Sequence, residues 1–160
     1  MNNTASDQAT NKVVVLAIDG LNLIVPQADI RTVESIADVA VVDKMPKSVG
    51  WINYRGQLWP VVCLSHELLL LDAIPASRRA CVMLAFDGNY LGLLCDDAKV
   101  LANFSQQNFA VPVSMRTHES PITGLIHYQQ GLACLSDASH LISFVNVYAN
   151  LTTATQEEVH

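Results

Sequence analysis

The amino-acid sequence predicts a mainly β protein in which two small barrels pack together and one helix follows at the C-terminus. Short runs of β-branched and aliphatic residues recur along the chain. Pairs such as Asp19-Gly20, Arg55-Gly56 and Asp87-Gly88 separate these runs, and they favour the tight turns of β-hairpins. Near the C-terminus the spacing of apolar residues changes from that of strands to that of a helix.

The candidate strands form two runs, one on each side of a break near Pro75. Turn residues interrupt them roughly every 8–12 residues, a pattern typical of sandwiches and barrels, and we expect about nine or ten strands in all. These nine or ten strands are expected among eleven candidate segments, which cover residues 12–18, 21–25, 39–42, 49–54, 57–64, 80–86, 90–95, 99–104, 109–113, 122–128 and 131–135.

Two internal segments have helical rather than strand spacing. Ile30, Val33 and Ile36 recur at every third residue, which predicts a short helix or turn with these side chains on one face. Ser65 can cap a second short helical turn that ends at Leu71.

The C-terminal segment predicts a longer helix. Ser136 or Asp137 can cap its first turn, because their side-chain oxygens accept backbone N–H groups there. Apolar residues then follow at positions i, i+3, i+4 and i+7 of one helical face. They are Leu141, Phe144, Val145 and Tyr148.

These elements predict a single domain over residues 12–150. A chain of 160 residues is long enough to bury one hydrophobic core. Polar stretches at both ends predict flexible tails. The expected divisions are 12–72 for the first barrel, 78–135 for the second, 136–150 for the helix, and 1–11 and 151–160 for the tails.

Composition and charge exclude several classes of function. With 51% hydrophobic and only 15% charged residues, most of the chain is not intrinsically disordered. The net charge is −6 and the nine Lys and Arg are scattered, so neither nucleic acid nor an anionic membrane surface is expected as a partner. No run predicts a membrane span or a secretory signal, and we expect a cytoplasmic protein. The high apolar content predicts that a partner covers part of the surface.

The four cysteines predict core packing rather than chemistry. Cys63, Cys81, Cys95 and Cys134 each lie in an apolar run, and no two form a CxxC pair. We therefore expect reduced, buried thiols, with no metal site and no cofactor.

The remaining polar residues form no recognised catalytic motif. A start of HExxH at His66 lacks its second histidine, because Leu70 occupies that position. The sequence therefore favours a binding module that is not an enzyme. The alternative left open is a small β-barrel enzyme or ligand-binding protein that uses Asp96, Asp97 or His127.

The most specific pattern in the chain is G-x-x-N-x-R-G-x-x-x-P-V-x-x-L, which runs from Gly50 to Leu64. It resembles the CheW-like domain, the adaptor module of bacterial chemosensory arrays. Cys63 stands where that family usually has an aspartate, which indicates a divergent member. Softer similarities extend the resemblance to about residues 12–148. They lie at 17–25, 29–36, 90–97 and 123–125.

The resemblance implies two interlocked five-stranded barrels, SH3-like or OB-like, that serve as a non-catalytic scaffold. The implied partners are the cytoplasmic tip of chemoreceptors and a CheA-type histidine kinase, in chemotaxis or pilus-driven motility. The implied receptor-binding residues are Ile30, Val33, Gly50 and Arg55. No kinase-binding residue can be assigned.

Overall fold

The computed structural model describes residues 12–41, 48–102, 109–110 and 120–146. These residues form twelve strands, two 3-10 turns (Gln27–Asp29 and Ile36–Asp38) and one helix, α1, over residues 138–146. The predicted mainly β class with a C-terminal helix is confirmed. The strands are β1 (Val13–Ile18), β2 (Leu21–Pro26), β3 (Ile30–Ser35), β4 (Ala40–Val41), β5 (Gly50–Tyr54), β6 (Gln57–Cys63), β7 (Ala80–Phe86), β8 (Asn89–Cys95), β9 (Asp97–Leu101), β10 (Phe109–Ala110), β11 (Gly124–Tyr128) and β12 (Gly131–Leu135).

The strands form two sheets that exchange hairpins. Sheet I has the order β10-β11-β12-β2-β1-β9, and sheet II has the order β3-β7-β8-β6-β5-β4. The β1–β2 hairpin therefore joins strands from the second half of the chain, and the β7–β8 hairpin joins strands from the first half. The predicted pair of barrel-like units is confirmed, with six strands in each sheet. Each sheet takes strands from both of the predicted divisions, 12–72 and 78–135.

The central strands of both sheets are buried on both faces. The largest apolar cluster lies between them and takes side chains from β1, β2, β6, β7, β8, β12 and α1. A second cluster covers the other face of sheet II, and a third covers the other face of sheet I. Successive residues of β7 alternate between the first two clusters, so the whole run 81–84 is apolar and buried. This two-sided burial is why the central strands have no polar face in the sequence.

The hairpin turns follow the sequence prediction. Asp19 and Gly20 both have positive φ, at 50° and 92°, and the turns at 55–56, 87–88 and 129–130 have the same character. Two successive positive φ values are those of a type I′ turn, whose twist matches that of the flanking strands.

Two expected helical segments have other conformations. Residues 30–35 form the strand β3, which pairs with β7 and contains a register shift between Ile30 and Thr32. Residues 65–71 contain a tight turn in which the Ser65 hydroxyl accepts the N–H groups of Glu67 and Leu69, and no helix follows within them. In both segments a partner strand or a local turn satisfies the backbone, so helical hydrogen bonds do not form.

The helix α1 forms as predicted. Asp137 caps it, since its carboxylate accepts the N–H of His140 at 2.8 Å. Asp29, in the 3-10 turn between β2 and β3, accepts the N–H of Ala138 at 3.0 Å. Leu141, Phe144 and Val145 are buried in the cluster between the sheets, whereas Tyr148 lies outside the described residues. No helix in the described ranges is long and apolar enough to cross a membrane.

Candidate partner-binding site

An apolar edge where the two sheets meet is the first candidate site. Strand β3 ends the order of sheet II and β9 ends that of sheet I, and both lie beside β7. Val33 on β3 is 46% exposed and Val100 on β9 is 54% exposed. Ile30 and Ala98, on the same two strands, are partly buried against the cluster between the sheets. We call these four residues the inter-sheet edge.

The inter-sheet edge continues the face that elsewhere forms the core. Val33 pairs with Val82 of β7, and Val100 pairs with Val14 of β1, and both partners are buried in the large cluster. Paired residues of adjacent strands project to the same side of a sheet. Val33 and Val100 therefore project toward the inter-sheet side but remain accessible at its rim.

Ile30 and Val33 share a face as predicted, but a β-bulge rather than a helix places them there. In a regular strand, residues three apart point to opposite faces. The register shift after Ile30 adds one residue to β3, so Ile30 pairs with Leu84 and Val33 pairs with Val82. Leu84 and Val82 belong to the same cluster, so the bulge, not a helix, aligns the two side chains.

Gly50 is buried because β4 packs directly against its backbone. A Cβ atom at this position would collide with the carbonyl oxygen of Ala40 and would lie 2.9 Å from Cγ1 of Val39. Any side chain would therefore displace β4. The position of Gly50 indicates a requirement of packing rather than a surface for direct contact.

Arg55 lies at the tip of the β5–β6 hairpin, in the left-handed conformation with φ of 52°. The Asn53 side-chain oxygen accepts the N–H of Gly56 at 3.1 Å, which explains why an asparagine precedes the glycine by three residues. The exposed guanidinium of Arg55 lies 5.3 Å from the centre of the Tyr54 ring. The turn thus holds a cation at the surface, beside the Tyr54 ring.

The four predicted receptor-binding residues occupy two places. Ile30 and Val33 lie on β3, whereas Gly50 and Arg55 lie on the β5–β6 hairpin. Strands β7, β8 and β6 separate β3 from β5 in the hydrogen-bonded order. Along the chain, one 3-10 turn leads from β3 to β4, which pairs with β5.

An open groove of about 370 Å³ lies beside the β5–β6 hairpin. Leu58 and Pro60 of the hairpin, Tyr90 of β8 and Ile142 of α1 line it. Leu58 is 61% exposed, so apolar surface is accessible here too.

Asp96, one of the three alternative catalytic residues, belongs to a charged cluster around Arg78. The Arg78 side chain is fully buried and forms two hydrogen bonds to Asp19, at 2.8 and 3.0 Å. The same guanidinium donates to Asp96 at 2.8 Å and to the carbonyl oxygen of Leu64 at 2.6 Å. Ser77 donates to Asp96 at 2.9 Å, and the Asp19 N–H donates to the second Asp96 oxygen at 2.8 Å. We call Asp19, Ser77, Arg78 and Asp96 the Arg78 cluster.

The Arg78 cluster keeps its carboxylates ionised. Burial raises the pKa of Asp96, but its bonds to the Asp19 N–H, Ser77 and Arg78 outweigh burial and leave the pKa below its usual value. The hydrogen bonds from Arg78 lower the pKa of Asp19. A lowered pKa makes Asp96 a weaker base than an ordinary aspartate, so this environment does not favour a role in acid–base catalysis.

The alternative catalytic residues do not converge. Asp97 lies on β9 and His127 on β11, and β1, β2 and β12 stand between these strands in sheet I. Within the described ranges, no three His, Cys, Asp or Glu side chains are grouped as a metal site would require.

The four cysteines are free and buried. Burial raises the pKa of every one of these thiols, to about 12 for Cys81 and Cys95. Their environment matches the predicted core thiols and does not favour the thiolate that a nucleophile or metal ligand needs.

Sequence reasoning missed Val100 and Arg78. The alternation of Asp97, Ala98, Lys99 and Val100 is a period-two signal that marks a half-exposed strand, and it could have identified Val100. A single arginine in a loop gives no comparable signal for the Arg78 cluster.

Comparison with known proteins places this fold in a family. A family model described as the CheW-like domain matches residues 12–145. Among solved structures, the chain is similar to the crystal structure of the scaffolding protein TtCheW from Thermoanaerobacter tengcongensis. The TM-score is 0.61 at 17% identity, over 79% of this chain and 84% of that chain, so this likeness shows the fold. A search of curated proteins returned no match. Because the family model spans nearly all of the described residues, the chain belongs to the CheW-like domain family.

Proposed function

We propose that the chain is a non-catalytic scaffold that binds the cytoplasmic tip of chemoreceptors and a CheA-type histidine kinase. It would couple the two in chemotaxis or pilus-driven motility signalling, and it would act in the cytoplasm. Membership of the CheW-like domain family supports a scaffold role, and the similar TtCheW is described as a scaffolding protein.

The inter-sheet edge is the observation that carries the proposed receptor contact. Val33 and Val100 lie on two different sheets, and both project toward the same inter-sheet side. A receptor tip is a helical hairpin, and a helix that docks on a protein uses apolar residues at spacings of three and four. Strands β3 and β9 form the two walls of the inter-sheet edge. Val33 on one wall and Val100 on the other can contact one such helix along its apolar face.

Arg55 and Gly50 would contribute in different ways. Arg55 is exposed at a tight turn and offers donors to a carboxylate or a carbonyl group of a partner. Gly50 would act indirectly, because it allows β4 to pack beside β5.

Titration of a receptor cytoplasmic-tip fragment against variants of the inter-sheet edge tests the proposal. Val33→Asp and Val100→Asp each place a charge where a partner must exclude water. An unpaired charge in a closed interface costs about 2–5 kcal/mol, so affinity should fall by about 30-fold or more. Leu132→Asp is the matched control, since Leu132 is 58% exposed on β12. Equal affinity of the parent and both folded edge variants would exclude this edge as the receptor contact.

Arg55→Glu tests the hairpin tip in the same titration. Arg55 is exposed, so the melting temperature should stay close to that of the parent while assembly with receptor and kinase weakens. An unfolded Arg55→Glu protein would show that the residue is structural instead.

A further inference from the structure

We propose that Arg78 is a positioning residue that clasps the two walls of the inter-sheet edge and fixes their separation. The inference deepens the proposed function. Only the expected effect of Arg78 on receptor binding rests on that function. The geometric part concerns the fold alone and can be tested without a partner.

The Arg78 cluster joins elements of both sheets. Arg78 lies two residues before β7 of sheet II, and Asp19 lies in the β1–β2 turn of sheet I. Asp96 is the single residue between β8 of sheet II and β9 of sheet I, where the chain crosses between the sheets. Leu64, whose carbonyl oxygen accepts from Arg78, directly follows β6 of sheet II. One guanidinium therefore bonds to both sheets and to the crossing.

The clasp lies where both walls of the inter-sheet edge are attached. β3 ends beside the start of β7, since Ser35 pairs with Ala80 and the Ile36 N–H donates to the Arg79 carbonyl oxygen at 3.0 Å. On the other wall, the Asp96 N–H donates to the Ala17 carbonyl oxygen at 2.7 Å immediately before β9 begins. Arg78 is thus close to the start of β7, the strand that pairs with β3 and its Val33. Asp96 directly precedes β9, which contains Val100.

The chemistry of the cluster requires an arginine. The two terminal nitrogens of Arg78 donate four hydrogen bonds in different directions. The acceptors are Asp19, Asp96 and the carbonyl oxygen of Leu64. A planar guanidinium provides this fork, whereas a lysine ammonium is a single point with three donors. Without the cation, two carboxylates would face each other at the junction and the Leu64 carbonyl would lose its donor. The carboxylates would then separate, and β9 would move relative to β7.

Distance measurement by electron spin resonance tests the clasp directly. Spin labels attached to Arg31→Cys on β3 and Lys99→Cys on β9 report the separation of the two walls, since both positions are exposed and the native cysteines are buried. We expect a narrow distance distribution in the parent, and a shifted or broadened one in Arg78→Gln and Arg78→Lys. The adjacent Arg79→Gln is the matched control, because Arg79 is exposed, and it should retain the parent distribution.

A milder variant keeps the test decisive if Arg78→Gln does not fold. Asp96→Asn has nearly the same shape but removes one charge from the cluster, and it should broaden the same distribution. Parent-like distributions in both folded Arg78→Lys and Asp96→Asn would overturn the clasp, as would equal broadening in Arg79→Gln.

Receptor binding separates the clasp from the proposed function. The folded Asp96→Asn variant should bind a receptor-tip fragment about 2- to 30-fold more weakly than the parent, the range typical of residues that act at a distance from a site. A broadened distance with unchanged affinity would retain the clasp and overturn its role in binding. A parent that binds no receptor fragment would contradict the proposed function, while the distance measurement would still decide the clasp.

Discussion

Replacement of Gly50 by alanine should destabilise the protein although it adds only one methyl group. The new Cβ would collide with the backbone oxygen of Ala40, and the nearest side-chain atom, Cγ1 of Val39, would lie 2.9 Å away. A backbone atom cannot rotate away as a flexible side chain can, so β4 itself must move. Overpacking of this kind costs about 1–3 kcal/mol.

The expected net effect follows from two opposing contributions. Alanine restricts the unfolded chain more than glycine does, which returns about 0.4–1 kcal/mol. Taking the middle of each range, we expect a net loss of about 1.3 kcal/mol, which for a chain of this length lowers the melting temperature by about 3–5 °C.

Thermal and urea unfolding followed by circular dichroism measure the effect of Gly50→Ala. Gly131→Ala is the matched control, because both glycines lie in strands with φ outside the left-handed region. A Cβ at Gly131 would lie 3.7 Å from the nearest atom, an ordinary contact, so this variant should melt with the parent or slightly above it. Parent-like melting of Gly50→Ala, or equal losses in both variants, would refute the packing argument.

Two further predictions concern titratable groups. The pKa values of Asp19 and Asp96 are lowered in the folded protein, so their contribution to stability is present above about pH 4 and is lost as the pH falls through the folded pKa values. Urea midpoints between pH 7 and pH 3 should fall less steeply in Asp96→Asn than in the parent, and equal slopes would contradict this. The buried thiols should resist alkylation in the native protein, because burial raises their pKa and keeps them protonated. Intact-mass measurement checks this, and rapid labelling of three or more thiols would show that they are accessible.

The turns could be predicted from the sequence because their residues determine backbone geometry locally. Two successive positive φ values are costly for most residues, and Asp19-Gly20 and Asp87-Gly88 are among the pairs that adopt them most readily. The helix α1 was predictable for a similar reason, since its cap and its buried face lie within a few residues of each other.

The assignment of strands to sheets could not be predicted, because two-sided burial removes the pattern that would indicate it. Every residue over 13–16 and 81–84 is apolar and buried, so neither run shows which of its faces meets which cluster. Strand β3 was predicted as a short helix or turn because it does show a clear pattern, but one that two structures share. Its bulge places Ile30 and Val33 on one face at a spacing of three, which is also the spacing of a helix.

The Arg78 cluster lay beyond sequence reasoning because its partners are distant along the chain. Asp19 and Asp96 lie 59 and 18 residues from Arg78, and each stands in a turn or at a strand end where a solvated carboxylate is the ordinary expectation. Only the exchange of hairpins between the sheets brings the β1–β2 turn to the β8–β9 crossing. The cluster is therefore a consequence of the topology, and the topology had no local signal.

Two-sided burial also determines where this fold can bind partners. When both faces of the central strands are covered, accessible apolar surface is left mainly at edge strands, hairpin tips and loops. Among the described residues, the edge strands β3, β4 and β9 expose Val33, Val41 and Val100. The other exposed large apolar residues lie near hairpin turns, except for one in the loop after β6; they are Leu58, Phe86 and Leu132, and Leu69 in the loop. Edge strands ordinarily invite aggregation and are protected by charge or by bulges. Here the bulge of β3 and the acidic and basic residues around Val33 and Val100 blunt strand pairing but leave the valines accessible. Several edges of one small domain therefore offer side chains for contact, as the proposed scaffold role with two partners requires.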